Sequence, residues 1–366
     1  MTEGQLIAYS NLLLDYCLQV KEGQQVFIQS TTLAEPLITQ LYKGALCRNT
    51  TVEVSLTFKD QEDLFNQNAH ESASRWVSPA YAKAMETFDS YLFIRAPFES
   101  KGYFPMDKLL MDIRRKALAP YQKMYSMRTG NKTMRRTLCQ YPTQASAKEA
   151  GMSLGEYEDF VMGACFLLYP DPAASWRSLS ANQLDYVAFL NQVSSIRYTN
   201  NKSDISFSVN GRTWINSDGQ TNMPSGEIYT SPVEDSAEGF IYFDYPVIYQ
   251  QRLMQGIHLD VKQGNIIKGK ADQGQEVLDE ILEIPGARRF GEAAIGMNQN
   301  IQRATKNILF DEKIAGSVHM AMGQSYEQCG GKNESSLHLD LISDMRDGGK
   351  IFADEKLIYQ SGKFLF

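Results

Sequence analysis

Residues 26–58, VFIQSTTLAEPLITQLYKGALCRNTTVEVSLTF, decide how this chain is read. Val26-Phe27-Ile28 follows a glycine-containing turn and reads as a short strand. Leu33, Leu37, Leu41 and Ala45 then recur four apart, a spacing that stacks side chains on one helix face. Val52, Val54, Leu56 and Phe58 alternate with more polar neighbours, which puts them on one face of a second strand. Strand, helix and strand in that order form a βαβ unit, the repeat from which α/β domains are built. Helices over 7–19 and 79–88 and an apolar strand at 91–94, ending before Pro97, continue the pattern. Residues 1–185 are therefore expected to form an N-terminal α/β domain.

Downstream the pattern shifts. Residues 168–174, LYPDPAA, read as a boundary loop leading into a helix. Ile205-Ser206-Phe207-Ser208-Val209 alternates and ends at Asn210-Gly211, a dipeptide that favours a hairpin turn. Further strands are expected at 240–243 and 257–261, helices at 273–282 and 286–300, and hairpin-like strands near 351–352 and 357–359. The fold class is thus α/β, with residues 186–366 expected as a mixed, mainly antiparallel β-containing C-terminal catalytic domain. No phosphate-cradling glycine loop is present, so nucleotide binding has no support.

The 366 residues hold 36 Lys+Arg against 43 Asp+Glu, a formal charge of -7 that disfavours nonspecific attraction to nucleic acid or anionic lipid. Arg114-Arg115, Arg135-Arg136 and Arg288-Arg289 read as solvated faces or internal ion pairs. No apolar run approaches the roughly 20 residues of a membrane-spanning helix. The start, Met1-Thr2-Glu3-Gly4-Gln5, has none of the marks of a secretion signal. Five cysteines without a CxxC pair suit free thiols in a reducing compartment. Together these features predict a cytoplasmic protein with no nucleic-acid or membrane partner.

Candidate chemistry starts from four histidines, His70, His258, His319 and His338. In His338-Leu339-Asp340, a strand would send imidazole and carboxylate to the same side, one nitrogen and one oxygen ligand for a divalent ion. Taken alone this tripeptide is weak evidence and reads first as an ordinary hydrogen-bonded surface pair. Glu227 after Gly226 and Glu292 after Gly291 are further carboxylates, and spacing alone does not bring any of them together. His258 and His70 read as structural or surface residues. Cys329, next to Gly330-Gly331, has no base at a telling spacing and is not read as a nucleophile.

Several separated stretches, in order, resemble the M29-type metal-dependent aminopeptidases, the thermophilic-aminopeptidase family. They are residues 216–239 (NSDGQTNMPSGEIYTSPVEDSAEG), 287–292 (ARRFGE), 309–319 (LFDEKIAGSVH) and 338–340 (HLD). Weaker matches at 141–143, 150–153 and 156–160 extend the resemblance over nearly the whole chain. It implies a two-metal centre of Glu227, Glu292, His319, His338 and Asp340, with Glu292 bridging. Glu312 matches a further acidic position, although its separation from His319 is longer here than in some relatives. Tyr326 matches a tyrosine that faces the reaction centre. The implied activity is release of N-terminal amino acids from peptides with a free N-terminus. Water activated by two divalent ions would carry it out, with zinc expected and cobalt, manganese or magnesium as alternatives. Glu292 or Glu312 would take the proton of that water, and Tyr326 would donate a hydrogen bond to the tetrahedral intermediate. The resemblance also implies an elongated homodimer whose active sites face an internal space. A metal-dependent phosphatase or other nonpeptide hydrolase is a second reading, and a catalytically inactive peptide-binding homologue a third.

Overall fold

Val26, Phe27 and Ile28 are all fully buried, because the strand Gln25–Thr31 has a parallel neighbour on each side. A strand covered on both faces needs apolar residues at consecutive positions. The computed structural model describes residues 1–99 and 106–366. This strand belongs to a five-stranded parallel sheet, ordered Thr51–Thr57, Gln25–Thr31, Ser90–Arg95, Arg135–Gln140 and Asn222–Met223. On one of its faces Phe27 packs with Ala84, Met85 and Met134.

The helix between the first two strands, Glu35–Leu46, buries Leu37, Leu41 and Ala45 completely. Leu33 belongs instead to a preceding 3-10 turn, Thr32–Ala34, and remains 38% exposed. The Thr31 hydroxyl accepts from the Leu33 amide there and ends the shared face one turn early. Thr51–Thr57 alternates in burial only through Val54; it is an edge strand, and Leu56 stays exposed.

The chain divides into two compact units, one of Met1–Ala173 with Gly219–Pro224, the other of Ala174–Asp218 with Ser225–Phe366. The expected domain limit at 185/186 falls inside the helix Pro172–Leu190. Trp176, Gln183, Val187 and Leu190 are the buried residues of that helix, at spacings that keep them on one side. The second unit holds a nine-stranded sheet and a five-stranded sheet, both antiparallel in their pairings. The α/β class with a mainly antiparallel second half is the observed architecture. Among the described residues no helix is long and apolar enough to cross a membrane.

Two local expectations are corrected. Gly211 adopts φ 70, as its turn requires, but Asn210-Gly211 closes no hairpin. The strand before it, Ser203–Ser208, pairs with Ser195–Asn200 and Glu238–Phe243, whereas the strand after it, Ile215–Ser217, joins the other sheet. The hairpin lies one strand earlier, at Asn200↔Ser203, where the Asn200 side chain accepts from the Lys202 amide. The expected helix at 286–300 is instead the strand Phe290–Gly296, buried at every position. A strand buried on both faces carries no polar alternation to mark it, and short apolar runs of this kind do not reveal their period.

Candidate metal centre

The five-stranded antiparallel sheet runs in the order His338–Asp344, Ser317–Gly323, Phe290–Gly296, Glu227–Thr230, Ile215–Ser217. Its register places Glu292 opposite Ala321, Ala321 opposite Asp340, Gly323 opposite His338, Ala294 opposite His319, and Gly296 opposite Glu227. Directly opposed residues share a face, and residues two apart share it again. Glu227, Glu292, His319, His338 and Asp340 therefore project from one side, drawn from four strands. The positions between them on that side are Ala294, Gly296, Ala321 and Gly323, whose small side chains keep the space open. Ile228, Ala293, Ile295, Val318, Met320, Met322, Leu339 and Leu341 point the other way into the main core of this unit. Alternation in these strands thus separates a mainly apolar core face from the face that carries the carboxylates and imidazoles.

Glu292 reaches that face through a β-bulge. Phe290 pairs with Met322 and Glu292 with Ala321, so Gly291 is the extra residue. In a regular strand with Gly291 paired, Phe290 and Glu292 would be two apart and share a side. A Cβ at Gly291 would lie 2.2 Å from the Gln324 carbonyl oxygen and 2.6 Å from that of Gly323, both backbone atoms that cannot swing away. Gly291→Ala is therefore expected to cost about 1–3 kcal/mol of stability, as overpacking does. Denaturant titration should show a lower midpoint and, in the refolded protein, weaker divalent-ion retention. An unchanged midpoint would refute the bulge constraint.

Within the cluster, His319 Nε2 lies 3.5 Å from Glu227 Oε2 and 3.6 Å from Glu292 Oε1. His338 Nε2 lies 3.1 Å from Glu292 Oε2 and 3.5 Å from Asp340 Oδ1. The other nitrogen, His338 Nδ1, donates to the Gln324 carbonyl at 2.8 Å, which fixes the ring and leaves Nε2 facing the carboxylates. Tyr326 OH is 3.3 Å from His338 Nε2, with its ring tilted against those of His338 and Tyr229. Glu312 comes beside Glu227 and His319, so each residue that the resemblance assigns to the centre lies in this cluster.

Both ring nitrogens of His319, Glu227 Oε2 and Asp340 Oδ1 are buried without a hydrogen-bond partner among the described residues. Orphaned buried atoms of this kind are costly, and so many on one face call for a ligand. Donors around a tetrahedral ion with bonds of about 2.0–2.1 Å lie about 3.3 Å from one another, near the spacings around His319. Two overlapping groups, Glu227, Glu312 and His319, and Glu292, His319 and Asp340, each have donor atoms within 4.8 Å of one another. The residues present fit divalent ions.

Electrostatics agree with this picture. Burial holds the Glu227 carboxyl above the usual carboxylate range. Burial also opposes ionisation of Glu292 and Asp340, but His319 and His338 outweigh it at Glu292 and His338 does so at Asp340, and both lie below that range. Burial disfavours the His338 cation, yet Asp340 and Glu292 overcome it and push the imidazole up to about 11. Burial and the charges of Glu292 and Asp340 drive the Tyr326 hydroxyl well above its ordinary value, so it stays a proton donor. Burial likewise pushes the Cys329 thiol up to about 12, and it is no nucleophile. His258 pairs with Asp260 at 3.0 Å and His70 is exposed, both outside the cluster.

Three contributors have no reading in the sequence. Lys313 is fully buried between Glu227 and Glu312. Gln183 is fully buried and donates to the Glu227 carbonyl at 2.9 Å, bracing the strand from behind the ligand. Gly291 sets the bulge. Gln183 had a signal: it shares the apolar spacing of Trp176, Val187 and Leu190.

Carboxylates and imidazoles gathered on one buried sheet face form a donor set that could hold divalent ions. The family model described as thermophilic metalloprotease (M29) matches residues 2–364, and the chain belongs to that family. It is 25% identical over 426 aligned positions to Aminopeptidase 2 of Geobacillus stearothermophilus, covering 100% of this chain and 98% of the relative. Similarity to Aminopeptidase PepS of Streptococcus thermophilus is 26% over 385 positions, covering 91% and 90% respectively. The solved structure of wild-type AmpT from Thermus thermophilus superposes with a TM-score of 0.83 at 19% identity, covering 99% of both chains, and shows the same fold.

Proposed function

We propose that this protein is a dinuclear metal-dependent aminopeptidase that removes N-terminal amino acids from peptides with a free N-terminus. The observation that carries the reading is the set of orphaned donor atoms on His319, Glu227 and Asp340, each aimed into one buried cluster. Glu292 offers its two oxygens to two different imidazoles, the placement of a bridging carboxylate. His338 and Asp340 would complete one ion's shell, and Glu227 and His319 the other's. Two divalent ions, zinc first and cobalt, manganese or magnesium as alternatives, would supply Lewis acidity and an acidified water when bound. Glu292 or Glu312 would receive the proton of that water. Tyr326 keeps its proton and can donate to an oxyanion formed beside His338. A phosphatase pocket would turn free Lys or Arg groups toward its substrate, whereas the ammonium of Lys313 is already engaged by two carboxylates.

A homodimer in the cytoplasm completes the proposal. The test compares a free-amine peptide with its N-acetylated counterpart after metal reconstitution, with mass by light scattering on the same sample. Cleavage of the free-amine peptide alone, by a particle of twice the chain mass, is expected. Equal cleavage of both peptides would sink the aminopeptidase reading, and a fully active monomer would sink the dimer.

A further inference from the structure

Lysine is among the residues least often fully buried, since an unpaired ammonium away from water is strongly destabilising. Lys313 has 0% of its side chain exposed, and the carboxylates it meets are themselves only 6% and 14% exposed, for Glu227 and Glu312. Its Nζ lies 3.4 Å from Glu227 Oε1 and forms an ion pair with Glu312 Oε1. The backbone holds it there. The Lys313 amide donates to the Phe310 carbonyl at 3.0 Å, and the Lys313 carbonyl accepts from Asn298 at 2.9 Å. Glu227 is thereby divided between two tasks: Oε1 faces the ammonium, and Oε2 faces His319 and has no hydrogen bond of its own.

Charge counting gives the arrangement a consequence. Glu227, Glu292, Glu312 and Asp340 together carry four negative charges when ionised, which two divalent ions would cancel. Lys313 adds one positive charge to that balance, in surroundings where water screens little.

We propose that Lys313 is a built-in third cation of this centre. It positions Glu227 as a one-oxygen ligand through Oε2, holds Glu312 as an ion-pair partner instead of a ligand, and leaves the loaded centre one unit positive toward the anion formed in catalysis. Lys313 is thus a positioning residue, acting through Glu227 and Glu312. The inference rests on the two-ion reading above.

Wild type, Lys313→Met, Lys313→Arg and Glu312→Gln are stripped, reloaded with zinc and titrated against a competing chelator. Ions per chain, melting temperature with and without zinc, and kcat and KM on a free-amine dipeptide are measured for each. Lys313→Met should keep two ions and hold them about tenfold more tightly, because a repelling charge is gone and two carboxylate oxygens are freed. Its kcat should nevertheless fall by about 100-fold with little change in KM. Lys313→Arg keeps the cation and should return chelator resistance to the wild-type value. Glu312→Gln should retain both ions. Loss of an ion in Glu312→Gln would make Glu312 a ligand and overturn the proposal. So would a Lys313→Met protein that loses ions in step with a lower metal-free melting temperature, since that reports packing alone. Wild-type protein that takes up no ion would overturn the two-ion reading together with this one. Two ions in wild type with either adverse variant result would remove only the role of Lys313.

Discussion

Glu292→Gln is expected to lower turnover by about 1,000-fold while leaving the fold intact. The side chain sits on a strand buried at every position, and glutamine matches its size, so far-UV circular dichroism should not change. What changes is charge and donor type. One oxygen of Glu292 faces His319 at 3.6 Å and the other faces His338 at 3.1 Å. An amide would turn an N–H2 group toward one of those rings and cannot supply a negative two-oxygen bridge. Electrostatic stabilisation by a metal pair is worth several kcal/mol in the transition state, and about 4 kcal/mol corresponds to about 10³ in rate. Metal content should fall by up to one ion per chain, and excess metal should restore turnover only in part, because occupancy does not restore the missing charge. Wild-type occupancy with wild-type turnover would eliminate the bridge. Full occupancy with lost turnover would move Glu292 from metal retention to proton transfer.

The strand that carries Glu292 is also where sequence reading and structure part most clearly. In the first unit, Val26-Phe27-Ile28 was legible as a short apolar run after a glycine-containing turn, and Val52 and Val54 because they alternate with more polar neighbours. Phe290–Gly296 has no such contrast, and its bulge at Gly291 breaks the two-residue period at the point where the ligand lies. The His338-Leu339-Asp340 geometry was legible because strand alternation alone puts its ends on one side, and the 3.5 Å contact follows. The meeting of Glu227, Glu292 and His319 was not, since it depends on strand order and register across 93 residues of chain. Resemblance to the M29 family supplied those partners, and the register supplies the physical reason they meet. Lys313 escaped because a lysine beside a glutamate ordinarily reads as a solvated pair. Its apolar surroundings, Ile308-Leu309-Phe310 before it and Ile314-Ala315 after it, were the available hint.

His338 leads to the second large effect, a coupling between protons and metal. Metal-free, this imidazole is pushed up to about 11 by Asp340 and Glu292 against the opposing effect of burial, so it is a cation at neutral pH. Burial and neighbouring carboxylates act in the same opposed way on His319, whose value also ends above the ordinary one. A metal ligand must be a neutral imidazole, so loading the centre has to expel these protons. The sign follows directly: below about pH 11 metal competes with a proton at His338, and affinity rises with pH and is lost on acidification. One displaced proton changes affinity about tenfold per pH unit, or about 100-fold between pH 6 and pH 8. Titration calorimetry of zinc into metal-free protein, in buffers of different ionisation enthalpy, counts the protons released. Wild type should release at least one per chain from this source. In His338→Ala that proton is absent, so the count should fall by one, the pH slope of affinity should flatten, and turnover should drop by about 100-fold or more with the lost ligand. The Gln324 carbonyl loses its donor in this variant, but it lies at the strand end beside a half-buried residue and can be reached by water. Loss of stability is therefore expected to be small beside loss of metal. Equal proton counts in the two proteins would mean that His338 already stands neutral in the metal-free centre, and that its contacts with Asp340 and Glu292 do not hold the proton that metal must replace.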